Sequence, residues 1–205
     1  MKENIQIVFG LLGGLAVFIY GMNMMSECLQ KAAGEKMKKI LSLLTRNPVM
    51  GALAGMLVTA VLQSSSATTV MAIGFVSAGL MTLPQAISII FGANIGTTVT
   101  SQLVSFNLSQ YAPVFIMVGV LMLMIFKNPT VKKAGEVVIG FGILFLGIST
   151  MSSSMGALKE LPAIQNLFMS LDNRFFALLL GLIITAIVQS SSVTVSIVLL
   201  LAQQG

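Results

Sequence analysis

Of the chain's 205 residues, 56% are hydrophobic and 8% charged, against roughly 25% charged in an ordinary soluble domain. Residues 47–126 and 175–205 carry no formal charge at all, and apolar runs of that length read as membrane spans. A soluble enzyme and a nucleic-acid module are excluded: the net charge of +5 comes from basic residues clustered at span ends, where it is a topology signal.

The first span runs from Ile5 to Met25, 21 residues or about 31 Å of helix. Its apolar part is long and no small-residue cleavage site follows, so it reads as a mature span and not a signal peptide. From Ser26 to Asn47 come Lys31, Lys36, Lys38, Lys39 and Arg46, with Met37, Ile40, Leu41 and Leu44 at helical spacing. That pattern predicts an amphipathic helix lying at the membrane surface. Pro48 to Leu80 is too long for one ordinary span and too short for two. It predicts a re-entrant hairpin: a half-helix to Leu62, a polar break at Gln63–Ser65, and a half-helix back. Thr82 to Phe106 supplies a crossing interrupted by "GANIGTT" at Gly92–Thr98. Tyr111–Phe126 is the next span, then a basic loop holding Lys127, Lys132 and Lys133, then a span from Glu136 to Met155. The loop carrying Lys159, Glu160, Asp172 and Arg174 is neutral, and a second hairpin begins at Phe175.

Basic loops stay cytoplasmic, so the loops after the first span and after Phe126 face inward and the neutral loop faces outward. The expectation is a multi-pass protein of the cell (inner or plasma) membrane with its N-terminus outside.

The stretch "QSSS" occurs twice, at Gln63–Ser66 and Gln189–Ser192, each inside an apolar run. The same offset of 126 positions pairs Gly14 with Gly140, Gly21 with Gly147, Asn47 with Asn173, Gly55 with Gly181, Thr59 with Thr185 and Thr68 with Thr194. One register kept across a span, a loop and a hairpin marks an internal duplication, 1–126 and 127–205. The span-to-hairpin loop is basic in the first copy and neutral in the second, so the hairpins enter from opposite sides. Inverted repeats with broken helices near the midplane are the signature of secondary transporters. The fold class expected is therefore all-α: an inverted-repeat transporter with two re-entrant helical hairpins.

Serine hydroxyls, glutamine amides and the N–H groups opening each second half-helix would all face an anion. Neither hairpin contains Lys, Arg or His. Serine chemistry would need a base, yet the chain has no His and its only Asp is Asp172 in a loop, so an enzyme is rejected. One Cys and no His argue equally against a transition-metal site. The serines of "MSSSM" at Met151–Met155 fall opposite the last three residues of "MMSEC" (Ser26, Glu27 and Cys28) at the repeat offset and receive no site role.

Paired "QSSS" stretches with "GANIGTTVT" after the first resemble the type II sodium/phosphate cotransporter family, including its bacterial members, over essentially the whole chain. The resemblance implies sodium-coupled phosphate symport, with Na+ as coupling ion and no other cofactor. It implies a homodimer in a lipid bilayer. It also implies a substrate site made of Gln63, Ser64, Ser65 and Ser66 with Gln189, Ser190, Ser191 and Ser192, supported by Thr68, Asn94, Thr97, Thr98 and Thr194. A phosphate sensor, or a transporter of another oxyanion on the same fold, is the alternative. The counterpart of "GANIGTT" falls beyond Gly205, so the second repeat is expected to be completed by further sequence of a longer protein or, less favoured, by another chain.

Overall fold

The computed structural model describes residues 2–43, 47–106, 108–158 and 173–203, and among them every regular element is helical. The helices are α1 (Lys2–Leu43), α2 (Pro48–Leu62), α3 (Ser65–Ser77), α4 (Leu83–Gly96), α5 (Thr98–Ser105), α6 (Ala112–Ile125), α7 (Pro129–Leu158), α8 (Arg174–Val188) and α9 (Ser191–Gln203). A short 3₁₀ turn at Leu108–Tyr111 precedes α6. Among the described residues, four segments are long and apolar enough to cross a membrane: Gln6–Leu41, Leu83–Ser105, Leu108–Ile125 and Pro129–Ser154. Most of the neutral loop after α7 lies outside the described residues.

α1 differs from the sequence reading. It continues unbroken for 42 residues, about 63 Å, where a span and a separate surface helix were expected. No proline interrupts it, and a Cβ at Gly34 would meet nothing within 4 Å. Its apolar stripe also faces inward: Met37 and Leu41 are buried against Ala54, Val58 and Leu62 of α2. Spacing alone cannot tell a stripe that meets lipid from one that meets a neighbouring helix.

α1 packs chiefly on α7, and glycine makes the contact possible. Between lipid-solvated helices there is little hydrophobic drive, so small residues that let backbones approach supply the association. A Cβ on Gly14 would run into Gly147 O and Met151 N, and one on Gly21 into Gly140 O and Leu144 N. Reciprocally, Gly140 lies against Gly21 O and Met25 N, and Gly147 against Gly14 O and Phe18 N. Each contact becomes another when both partners are shifted by the repeat offset and exchanged. The helix pair is antiparallel and isologous, the pattern of a two-fold contact. Phe18, Met22, Leu144, Phe145 and Met151 fill the buried cluster beside it, and Phe141 stacks edge-on between Phe115 and Phe145 at 5.0 and 4.9 Å. Cys28, buried, points its Sγ at Glu136 Oε2 across the same pair, 3.2 Å away.

α2 packs on α4 by the same device. Gly55 lies against the backbone of Ile89, Gly92 against that of Ala52, and Gly96 against Met56 O and Thr59. The glycines of "GANIG" therefore serve close packing. The interruption expected there reduces to one junction at Thr97, whose φ of −65° and ψ of −23° are still right-handed helical, so the backbone of Leu83–Ser105 is not unwound there. α8 has no comparable neighbour and none of its side chains is fully buried, while α9 rests on α5 and α8.

Candidate functional site

Two half-helix pairs meet at two tips built by one recipe. Asn47 and Asn173 cap α2 and α8, their side-chain oxygens accepting from Val49 N (2.9 Å) and Phe175 N (3.0 Å). Each half-helix then stops at a glutamine: Gln63 (φ 55°, ψ 29°) and Gln189 (φ 56°, ψ 24°). These are the only non-glycine residues with positive φ among the described residues. A left-handed conformation costs an L-residue roughly 1–2 kcal/mol, and the side chain offsets part of that cost as a C-terminal cap: Gln63 Nε2 donates to Ala60 O and Gln189 Nε2 to Ala186 O.

The next residue turns the chain back. Ser64 is extended and its Oγ accepts from Ala67 N at 3.2 Å, while Ser190 Oγ accepts from Val193 N at 3.4 Å. The N–H groups of Ser65 and Ser66, and of Ser191 and Ser192, open α3 and α9 with no carbonyl one turn earlier to receive them. Behind each tip a threonine pair ties the halves together. Thr59 Oγ1 donates to Thr68 Oγ1 (2.9 Å), which donates to Ser64 O (3.2 Å). Thr185 and Thr194 repeat the arrangement at 2.9 Å, with Thr194 donating to Ser190 O at 3.2 Å. No buried side-chain nitrogen or oxygen among the described residues is left without a partner.

The tips enclose a single cavity of about 720 Å³, within the range of roughly 300–1,000 Å³ usual for small-molecule sites. Gln63, Ser64, Ser65 and Ser66 line one side and Gln189, Ser190, Ser191 and Ser192 the other. α1 contributes Met22, Asn23 and Ser26, and α8 contributes Gly181, Leu182, Thr185 and Ala186. No charged side chain among the described residues lines it. All eight glutamines and serines singled out in the sequence thus share one space, whereas Thr68 and Thr194 stand behind it in the threonine pairs.

Asn94, Thr97 and Thr98 are elsewhere. Thr97 Oγ1 donates to Asn94 O (2.6 Å) and Thr98 Oγ1 to Ile95 O (2.7 Å), each bond closing on its own helix, and none of the three lines the cavity. The threonine that does reach a tip is Thr100, whose Oγ1 donates to Gln63 Oε1 at 2.7 Å. Gln63 is therefore held at both ends of its amide, with one N–H left for anything in the cavity. Of the Gln63 amide groups that the sequence reading turned toward an anion, one N–H is engaged by Ala60 O and the oxygen by Thr100.

Sequence reasoning also missed Ser26. Its Oγ donates to Leu62 O, the last carbonyl of α2, at 3.0 Å, and accepts from Gln30 Nε2 at 2.9 Å. Ser26 stands at the end of the first apolar run, where serine is an ordinary boundary residue. Its only sequence signal is a serine at the repeat offset.

Comparison with known proteins bears on this geometry. The chain is 34% identical over 189 residues to "Uncharacterized protein YqeW" of Bacillus subtilis, an alignment covering 92% of this chain and 61% of that protein. It is 28% identical over 164 residues to "Putative inorganic phosphate export protein YjbB" of Escherichia coli O157:H7, covering 80% of this chain and 30% of that one. Over 97 residues it is 39% identical to "Sodium-dependent phosphate transport protein 2A" of Rattus norvegicus, covering 46% and 15%. The chain thus spans less than two thirds of each of these relatives. No solved structure matches it significantly. The Na+/Pi-cotransporter family pattern matches residues 17–153. With two thirds of its length matched, the chain belongs to the Na+/Pi-cotransporter family.

Proposed function

We propose that this protein couples sodium to the movement of inorganic phosphate across the cell membrane, with the anion held between the Gln63–Ser66 and Gln189–Ser192 tips. The observation that carries the reading is the uncharged cavity faced by the first turns of two half-helices. Each tip offers two free N–H groups, serine hydroxyls and the positive end of a helix dipole. Such partial charges suit an oxyanion but do not neutralise one that carries nearly two negative charges. Sodium ions do, and the carbonyls ending α2 and α8, with the serine oxygens, are ligands of the right hardness. Coupling follows, since the cavity favours the anion only when cations accompany it.

The isologous packing of Gly14 on Gly147 and Gly21 on Gly140 supports the inverted repeat. A two-fold relating antiparallel spans would lie in the membrane plane, and on this reading the hairpins α2–α3 and α8–α9 are re-entrant elements entering from opposite faces. In this arrangement the N-terminus is external and the Lys127–Lys133 loop cytoplasmic. The family resemblance adds a homodimer.

The test is transport by the full-length protein in proteoliposomes, offered phosphate, arsenate or sulfate with and without a sodium gradient. The expected outcome is sodium-dependent accumulation of phosphate, competed by arsenate more strongly than by sulfate, which lacks a proton to donate near neutral pH. Phosphate binding without transport would favour a sensor. Release of preloaded phosphate on reversing the gradient would assign the export direction that the name of the E. coli relative carries.

A further inference from the structure

We infer that Ser152 is the positioning residue of the second tip, performing there what Ser26 performs at the first; the inference rests on the two-tip reading of the cavity. Ser26 is 8% exposed and closes the last carbonyl of α2, immediately before Gln63. The repeat offset carries Ser26 to Ser152, Leu62 to Val188 and Gln63 to Gln189. It is the offset that the reciprocal glycine contacts of α1 and α7 obey in space, so Ser152 occupies on α7 the position Ser26 occupies on α1.

The three serines of this run are not alike. Ser153 Oγ and Ser154 Oγ both donate to Thr150 O, at 2.9 and 3.0 Å, and Ser154 packs against Gly10. Those are bonds back onto the same helix, as serine commonly makes in membrane spans. Ser152 makes none among the described residues, although it is half-buried. No side chain donates to Val188 O either, where Leu62 O receives Ser26. Met151 and Val193 are buried in the same apolar cluster, with Val188 packed against it, so this end of α7 and the second tip share one packing unit.

A donor without acceptor and a carbonyl without donor therefore stand at positions that the repeat makes equivalent to Ser26 and Leu62, where the bond is made. The first tip is also held by Thr100, and Gln63 is half-buried; Gln189 is exposed and bonds only its own helix. The second tip is the loosely held jaw. Docking its terminal carbonyl on Ser152 brings the N–H groups of Ser191 and Ser192 to the position their counterparts already hold.

Two measurements decide this in the full-length protein with Cys28→Ser as background. Cysteine pairs Ser152→Cys/Gln189→Cys and Ser26→Cys/Gln63→Cys are oxidised with copper phenanthroline, with and without sodium and phosphate. Both pairs are expected to cross-link, the Ser152 pair more in the presence of both ions. Ser152→Ala is expected to raise the phosphate KM about three- to tenfold, the value of one hydrogen bond, with little change in kcat. Ser152→Thr should restore it and Ser153→Ala should leave it unchanged. Absence of the Ser152–Gln189 cross-link under every condition while the Ser26 pair forms, or wild-type KM in Ser152→Ala, overturns the inference. The cross-link does not depend on transport, so a protein that fails to move phosphate still reports on the docking of its second tip.

Discussion

Replacing Gly147 with leucine is expected to prevent accumulation of folded protein, and Gly14→Leu is expected to do the same. Both side chains would have to occupy space held by the partner helix's backbone: Phe18 N and Gly14 O in one case, Met151 N and Gly147 O in the other. Overpacking a core by a few methylenes costs about 1–3 kcal/mol when side chains can shift. Here a backbone must move, so α1 and α7 must separate along their whole contact. The two substitutions probe one isologous contact from its two halves, which predicts near-equal losses of thermal stability in detergent. Gly13→Leu is the control, because a Cβ there meets nothing within 4 Å. Melting temperatures and monodispersity of purified protein check all three. A large loss for one glycine with none for the other would break the symmetry on which the repeat reading depends.

Ser66→Asp is expected to reduce phosphate transport on the order of a thousandfold while stabilising the tip. Ser66 sits in the first turn of α3, where a carboxylate accepts the local N–H groups and complements the helix dipole. The substitution therefore supplies the anion in covalent form. A phosphate about 4 Å away would then meet a repulsion of about 4 kcal/mol at a protein-like dielectric. Ser192→Asp should act alike, since Ser192 holds the same place in α9 and lines the same cavity. Ser66→Asn separates charge from size, and should retain most of the transport. Uptake and melting temperature together distinguish an occupied anion site, slow and stable, from a merely damaged hairpin, slow and unstable.

Much of this architecture could be read from residues. The uncharged stretches located the helices, and the repeat offset paired Asn47 with Asn173, which the structure shows capping the two first half-helices. The duplicated "QSSS" located both breaks, because polar residues in an apolar run need partners and duplication makes that need specific. Three things were not legible. The inward-facing stripe of Met37 and Leu41 has the same spacing as a lipid-facing one. Gly92 and Gly96 could mark either an opened backbone or a close helix contact, and only the position of α2 decides for contact. Thr97, Thr98 and Thr100 are chemically equivalent on paper. The helix turns the first two back on their own carbonyls and brings the third to Gln63. Ser26 and Ser152 were legible in principle, through the offset, once one of them was seen bonding a tip.

The most direct test of the account is chemical protection at the two tips. Single cysteines replace Ser66 and Ser191, both exposed in the cavity, with Cys28→Ser in the full-length protein, and the rate of modification by a small charged thiol reagent is measured. The account predicts that phosphate slows modification at both positions together, that it does so only when sodium is present, and that sulfate protects far less. Modification at either tip that proceeds at the same rate with sodium and phosphate as without them would contradict the claim that the two tips hold the anion between them.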